Sequence, residues 1–395
     1  MEFDVALAST LLDVYAKCAC LNDAEGVFNG MPQRNFVSWN ALMIGHVQQG
    51  NCLTAMYIFK DMQHAGMIPT KVTFLCIIRA CCSIKALGLG KEIHNQLIIT
   101  GFDVHLDIGN ALIDMYAKCQ MLEDARKVFD NLVFQDHISW GSMVVGYVQH
   151  GHCTLALSPF EEMQRDSIEL DKALFSSILK ACGTIGAFEK GKKIHDELIH
   201  TRFLKESVVL GNVLVDMYAR FGLLAKAHQV LENLTIRDVV SWTTIIAGYG
   251  QKGQTTEALN CFDQMLGECI APNEITLLSV LAACSHSGKM NEAQIYYENM
   301  SKQYGVTPQL EHHTCMVAIL GCAGHLGKAM AMIKTMISSS DPSVWLTLLY
   351  YCKKWGNVKL GRLACHQTIQ YDFDLSASYV LMSNIHAAAG IPHVT

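Results

Sequence analysis

Three stretches of this chain carry one pattern. They are STLLDVYAKCACLNDAEGVFN at 9–29, NALIDMYAKCQMLEDARKVFD at 110–130 and NVLVDMYARFGLLAKAHQVLE at 212–232. Tyr15, Tyr116 and Tyr218 stand 101 and 102 residues apart. A second series shares the period: FVSWNALMIGHVQQG (36–50), HISWGSMVVGYVQHG (137–151) and VVSWTTIIAGYGQKG (239–253). A third follows at 71–94, 172–195 and 274–294. Self-similarity at a fixed period means an array of like units, each too small to bury its apolar face alone.

Each unit of about 101 residues contains three motifs, 36–70, 71–105 and 106–136 in the first case. Each motif reads as two helices. Trp39, Leu42, Met43 and His46 share one helical face, as do Ala55, Ile58, Phe59 and Met62, and Ala125, Val128, Phe129 and Leu132. Gly50, Gly151 and Gly253 mark the turn between the two helices. Pro32, Pro69, Pro272 and Pro308 fall at motif joints. The expected fold is an all-α, right-handed superhelical solenoid of helix-turn-helix repeats. Its expected divisions are 1–35 (a partial motif and one full motif), 36–136, 137–238, 239–341 and a further helical pair with a truncated tail at 342–395. The chain opens inside a repeat and stops one helix into another. Both ends therefore read as truncated.

Composition narrows the function classes. With 51% apolar residues the chain is not disordered. No uncharged apolar run reaches the ~18 residues of a membrane helix. The N-terminus resembles neither a secretory signal nor an Arg- and Ser-rich transit peptide. Sixteen cysteines include no C-x-x-C pair, and several recur with the repeat: Cys18 with Cys119, and Cys81 with Cys182 and Cys284. They read as reduced, buried side chains rather than a disulfide or zinc framework. His195-Asp196-Glu197 matches half of a zinc-deaminase signature, but no P-C-x-x-C follows and His94 holds the same place without the acid. No metal, phosphate-loop or nucleophile motif appears, so no cofactor and no catalysis is expected. The net charge of −6 places any nucleic-acid reading on a local surface.

The motifs SWNALMIGHVQQG, NALIDMYAKC, LEDARKVFD, RACCSIKALGLGKEIH and VLAACSHSGKMNEA resemble the pentatricopeptide-repeat family of plants, in its subclass of alternating P, L and S motifs. EHHTCMVAILGCAGHLGKA is similar to the last S motif of that class. PSVWLTLLYYCKKWGNVKLG and SYVLMSNIHAAAG are similar to E-type extensions, with no DYW deaminase domain after them. The resemblance covers residues 5–395 and implies binding of single-stranded RNA, one base per P or S motif. Two side chains do the reading, one early in the first helix and one at the motif's last position.

Carried over, the resemblance implies that Ser9 with Asn35 reads A, and that Asn40 with Thr70 reads a pyrimidine. Asn110 with Asp136 and Asn212 with Asp238 would read U. Gly141 with Asp171 is loosely read, Thr243 with Asn273 reads A, and Thr314 with Asp341 reads G. The L motifs carry Leu75, Ser176 and Leu278 at the early place and read little. The expected order, 5′ to 3′, is A, pyrimidine, gap, U, loose, gap, U, A, gap, G. Val37, Ile138, Val209 and Val240 are expected to pack on base faces, while Asp107 and Glu311 depart from that pattern.

Plainer readings stand beside these. An Asn near a helix start also serves as an N-cap. Lys17, Lys118 and Arg220 either steer phosphates or line a solvated face. Trp39, Trp140 and Trp242 have core spacing, as do the three tyrosines. The resemblance further implies a recognition factor for C-to-U editing in mitochondria or chloroplasts. It would have single-stranded RNA, a deaminase in trans and other editing factors as partners, and no membrane. Alternatives are an RNA-binding factor for splicing or transcript stability, and a protein-binding scaffold of tetratricopeptide type.

Overall fold

The computed structural model describes residues 5–165, 168, 170–335, 341–371 and 376–388. Among these residues every regular element is a helix, 24 in all, and none is long and apolar enough to cross a membrane. The expected pairing of helices holds. Motif 36–70 folds as Phe36–Gln48 and Cys52–His64, and motif 71–105 as Lys71–Ile84 and Leu87–Thr100. Motif 106–136 folds as Leu106–Lys118 and Leu122–Asn131. Gly50, Gly151 and Gly253 make the turn with φ of +79°, +79° and +72°, where a Cβ would be strained. One element was not legible in the repeat pattern: a four-residue helix, Phe203–Glu206, at the joint before Val208–Arg220.

The chain forms two compact units, residues 1–185 and 186–395. Within each, a motif's first helix packs on its own second helix and on the first helix of the next motif. Two devices seal these contacts. The tryptophan that opens one motif meets the phenylalanine that closes the previous one, edge to face, with centroids 4.7 Å apart for Phe28–Trp39 and 4.6 Å for Phe129–Trp140. Small residues bring first helices close: a Cβ built on Gly45 would lie 2.7 Å from Ala16 Cβ, and one on Gly146 2.8 Å from Ala117 Cβ. The second unit repeats the contact with Gly248 and Ala219 at 3.2 Å.

The recurrent aromatic residues are core, as their spacing predicts. Trp39, Trp140, Trp242, Tyr116 and Tyr218 are buried, while Tyr15 is half-buried. Tyr116 Oη pairs with His94 Nδ1 at 2.9 Å, and Tyr218 Oη with His195 Nδ1 at 2.7 Å. His195 therefore repeats the structural role of His94. Burial lowers the pKa of both imidazoles and keeps them neutral. Cys81, Cys182 and Cys284 are fully buried as expected. Burial pushes the Cys81 thiol up to about 12. Cys18 and Cys119 correct the pattern. They follow the last residue of their helices, so Cys18 is exposed and Cys119 half-buried despite recurring. In the tail, helix Ser376–Ala388 packs on Pro342–Lys354 and Val358–Tyr371 through Met382 and Ile385, leaving Tyr379 and Val380 exposed.

The close Gly–Ala contact fixes the sign of two substitutions. Alanine favours a helix over glycine by about 0.5–1 kcal/mol, and Gly26→Ala, with nothing within 4 Å of the new Cβ, should stabilise by that amount. Gly146→Ala drives a methyl into Ala117 and should instead destabilise by about 1–3 kcal/mol. Denaturant titration of both variants checks the opposite signs.

Candidate nucleic-acid interface

The residues at the motif ends are helix N-caps. Asn35 Oδ1 accepts the backbone N–H of Ser38 at 2.8 Å, and Asp136 Oδ1 that of Ser139 at 2.8 Å. Asp238 and Asn273 accept from Ser241 and Thr276 at 2.9 Å each, and Asp171 from Leu174 at 2.7 Å. Thr70 and Asp341 cap their helices in the same way. Each satisfies an N–H that the first helical turn would otherwise leave open. The capping alternative for Asn110 and Asn212 is thereby corrected. His105 and Ser207 occupy those N-cap positions, and the two asparagines lie one turn deeper.

From there each asparagine reaches the next motif's cap. Asn110 Nδ2–H donates to Asp136 Oδ1 at 3.1 Å, and Asn212 Nδ2–H to Asp238 Oδ1 at 3.0 Å. Asn40 Nδ2–H donates to Thr70 Oγ1 at 3.2 Å. The far side of each amide is held by the third residue of the next helix, whose hydroxyl donates to Oδ1. Thr73 does so to Asn40 at 2.7 Å, Ser139 to Asn110 at 2.6 Å and Ser241 to Asn212 at 2.5 Å. Thr243 reaches Asn273 indirectly, through Thr276 Oγ1 at 2.6 Å. Sequence reasoning missed these buried hydroxyls. Their signal was a Ser or Thr three places after Asn35, Thr70, Asp136, Asp238 and Asn273.

The remaining pairs are not joined. Ser9 donates to its own helix at Val5 O, 2.7 Å, and Thr314 to Leu310 O, 2.8 Å, rather than engaging Asn35 or Asp341. Gly141 has no side chain, and a Cβ there would meet open space. It nevertheless shares a cleft of about 250 Å³ with Ile138 and Asp171.

Val37, Ile138, Val209 and Val240 stand exposed at the second helical residue, two places past a cap. Val72 and Ile275, which the resemblance did not single out, hold the same place and are also exposed. A cleft of about 380 Å³ gathers Val240, Thr243, Asn273 and Ile275 beside Arg220. Another of about 300 Å³ gathers Asn110, Ile138 and Asp107 beside Arg79. Asp107 is held by Lys71 at 2.8 Å, while Glu311 is exposed. The recurrent cations are each paired with an aspartate four residues earlier: Lys17 with Asp13 (2.6 Å), Lys118 with Asp114 (2.9 Å) and Arg220 with Asp216 (2.7 Å). His312 and His313 hold Glu274 O and Tyr297 Oη, and among the described residues no cluster of metal-ligating side chains forms.

Partial burial raises the pKa of Asp136, but the Ser139 N–H and hydroxyl and the Asn110 amide outweigh it and hold the carboxyl below its ordinary value. Asp238 is lowered likewise: burial opposes, while the Ser241 N–H, the Asn212 amide and the Ser241 hydroxyl prevail. Both are acceptors at neutral pH, so each must be shown a donor.

The sequence and the fold both match known proteins. The family model described as PPR repeat family matches residues 34–83 and 237–286, and the one described as PPR repeat matches 8–36, 110–134 and 138–168. The chain is similar to the Arabidopsis thaliana pentatricopeptide repeat-containing protein At2g33680, 36% identical over 98% of this chain and 53% of that one. It is also similar to the Arabidopsis thaliana pentatricopeptide repeat-containing protein At1g06140, mitochondrial, 33% identical over 99% of this chain and 70% of the relative. The chain thus spans little more than half the length of several relatives it matches. In fold it is similar to the pentatricopeptide repeat protein PPR10 in complex with an 18-nt psaJ RNA element. That likeness has a TM-score of 0.81 at 15% identity, over 98% of this chain and 58% of that one. The crystal structure of PPR10 from maize gives 0.61 at 18% identity, over 98% and 62%.

The lowered carboxyls set a pH dependence. A folded pKa below the unfolded value stabilises fully above the unfolded value, about 4, and the gain is lost as pH falls through the folded one. Asp136→Asn with Asp238→Asn keeps a capping oxygen but removes the titrating group. Its stability should fall less steeply than that of the wild type between about pH 5 and 3, as urea titrations at stepped pH would show.

Proposed function

The chain belongs to the pentatricopeptide-repeat family, and on that premise we propose that it binds single-stranded RNA in a sequence-dependent way. The observation that carries the reading is the recurring corner where a buried amide is hydrogen-bonded to a capping carboxylate, with an exposed aliphatic side chain two residues past that cap. Ile138, Asn110 and Asp136 form one such corner, and Val240, Asn212 and Asp238 another. The aliphatic group offers an apolar surface to a base face. The amide retains one free N–H and one free oxygen lone pair, a donor and an acceptor for a base edge. In this reading the bases follow the order A, pyrimidine, gap, U, loose, gap, U, A, gap, G. The first and last are the weakest, because Ser9 and Thr314 bond their own helices.

The specific task in this proposal is recognition of an organellar transcript for C-to-U editing. The chain places a cytidine before a deaminase supplied by another protein and performs no chemistry itself. The likeness of 342–395 to E-type extensions supports this reading, as do relatives named as mitochondrial. Because the recurrent cations are already paired and the net charge is −6, base contacts rather than phosphate neutralisation carry specificity.

Fluorescence anisotropy with a ten-nucleotide RNA of the stated order tests the proposal. Changing both U positions to A should weaken binding by about ten- to a hundredfold, the worth of one or two hydrogen bonds per base. Asn110→Ala with Asn212→Ala should weaken binding to the matched RNA by a similar factor. Equal binding of every RNA would exclude sequence reading.

A further inference from the structure

At Asn40, Asn110 and Asn212 the reading pair is held by a third residue, from the first helix of the next motif. We propose that the buried hydroxyls of Ser139 and Ser241 are specificity-determining positioning residues, which lock the Asn110 and Asn212 amides in the orientation that accepts uracil and rejects cytosine. This rests on the RNA-binding reading above and extends it to a residue outside the reading pair.

The argument is one of donors and acceptors. Uracil presents O4, an acceptor, beside N3–H, a donor. Cytosine presents an N4 amino group, a donor, beside N3, an acceptor. The same asparagine amide complements either edge, but the two need it turned by 180°. Orientation alone therefore decides between them. In this chain the orientation is anchored at both ends. Asp136 and Asp238 are carboxylates that only accept, so nitrogen must face them, at 3.1 and 3.0 Å. The Ser139 and Ser241 hydroxyls lie 2.6 and 2.5 Å from the amide oxygens and 2.8 and 2.9 Å from the carboxylate oxygens, so each single hydroxyl hydrogen is shared between amide and carboxylate. One anchor would leave the amide free to pivot about a single hydrogen bond, whereas two fix its plane and its polarity.

The chain contains its own controls. At Asn40 the cap is Thr70, whose hydroxyl donates or accepts, so the amide there is not forced by an obligate acceptor. At Gly141 the reading side chain is absent, and the third residue of the next helix is Leu174, with no hydroxyl.

The test is a set of anisotropy titrations of the full chain against RNA with U or C at the Asn110 and Asn212 positions. The wild type should prefer U. Ser139→Ala with Ser241→Ala should reduce the U-over-C ratio by about three- to tenfold per site, the worth of one hydrogen bond. Ser139→Thr with Ser241→Thr should restore it, as Thr73 and Thr276 hold the same place in other motifs. A merely structural serine would instead lower affinity for U and C alike. Gly141→Asn reads the same lock without touching the core. It adds an amide with Asp171 as sole anchor, and should strengthen binding to U and C at its position with little choice between them. An alanine pair that keeps the full U-over-C ratio, or a Gly141→Asn variant as selective as Asn110, overturns the inference. Absence of sequence-dependent binding by the wild type would instead overturn the RNA reading beneath it.

Discussion

One shared corner underlies both the fold and the candidate interface. The last residue of a motif caps the next helix, and the same oxygen receives the amide of the reading asparagine. Asp136 Oδ1 takes the Ser139 N–H at 2.8 Å and the amide of Asn110, the proposed base-reading residue, at 3.1 Å. A helix start must satisfy its open N–H groups whatever the protein does. The position that would choose a base is thus one the backbone already demands to be polar. Under the proposed function, stability and selectivity draw on one set of hydrogen bonds, so neither residue changes independently of the other.

The rest of the packing serves to bring these corners into register. Edge-to-face Phe–Trp contacts join successive motifs, and Gly–Ala contacts let first helices approach closely enough for an asparagine to span to the next cap. Each contact is local, between neighbours in sequence, as expected where stability sums over adjacent repeats. Electrostatics plays a smaller part. Exposed ion pairs four residues apart are worth about 0.3–0.5 kcal/mol, and pairing blunts the pull of Lys118 and Arg220 on a polyanion.

Much of this was legible in the sequence. The 101-residue period gave the two-helix unit, the turn glycines and the burial of the tryptophans, because periodicity maps directly onto a helical face. It also singled out Asn110 with Asp136 and Asn212 with Asp238, which the structure joins by hydrogen bonds. Recurrence misled at Cys18, since a residue just past a helix end recurs as faithfully as a core residue without facing the core.

What the sequence could not decide was how polar residues 26 to 33 positions apart would be wired. Ser9 and Asn35 satisfy the same pattern as Asn110 and Asp136, yet Ser9 bonds Val5 within its own helix. A short hydroxyl finds the carbonyl one turn back nearer than the next cap, while an amide is long enough to cross. Nor did the pattern reveal Ser139 and Ser241, whose roles exist only once two helices from different motifs lie side by side. The sequence by itself determined the repeat, its helices and the faces they bury, since these follow from local spacing. Only the tertiary structure decided which polar side chains meet, because that depends on reach between packed helices.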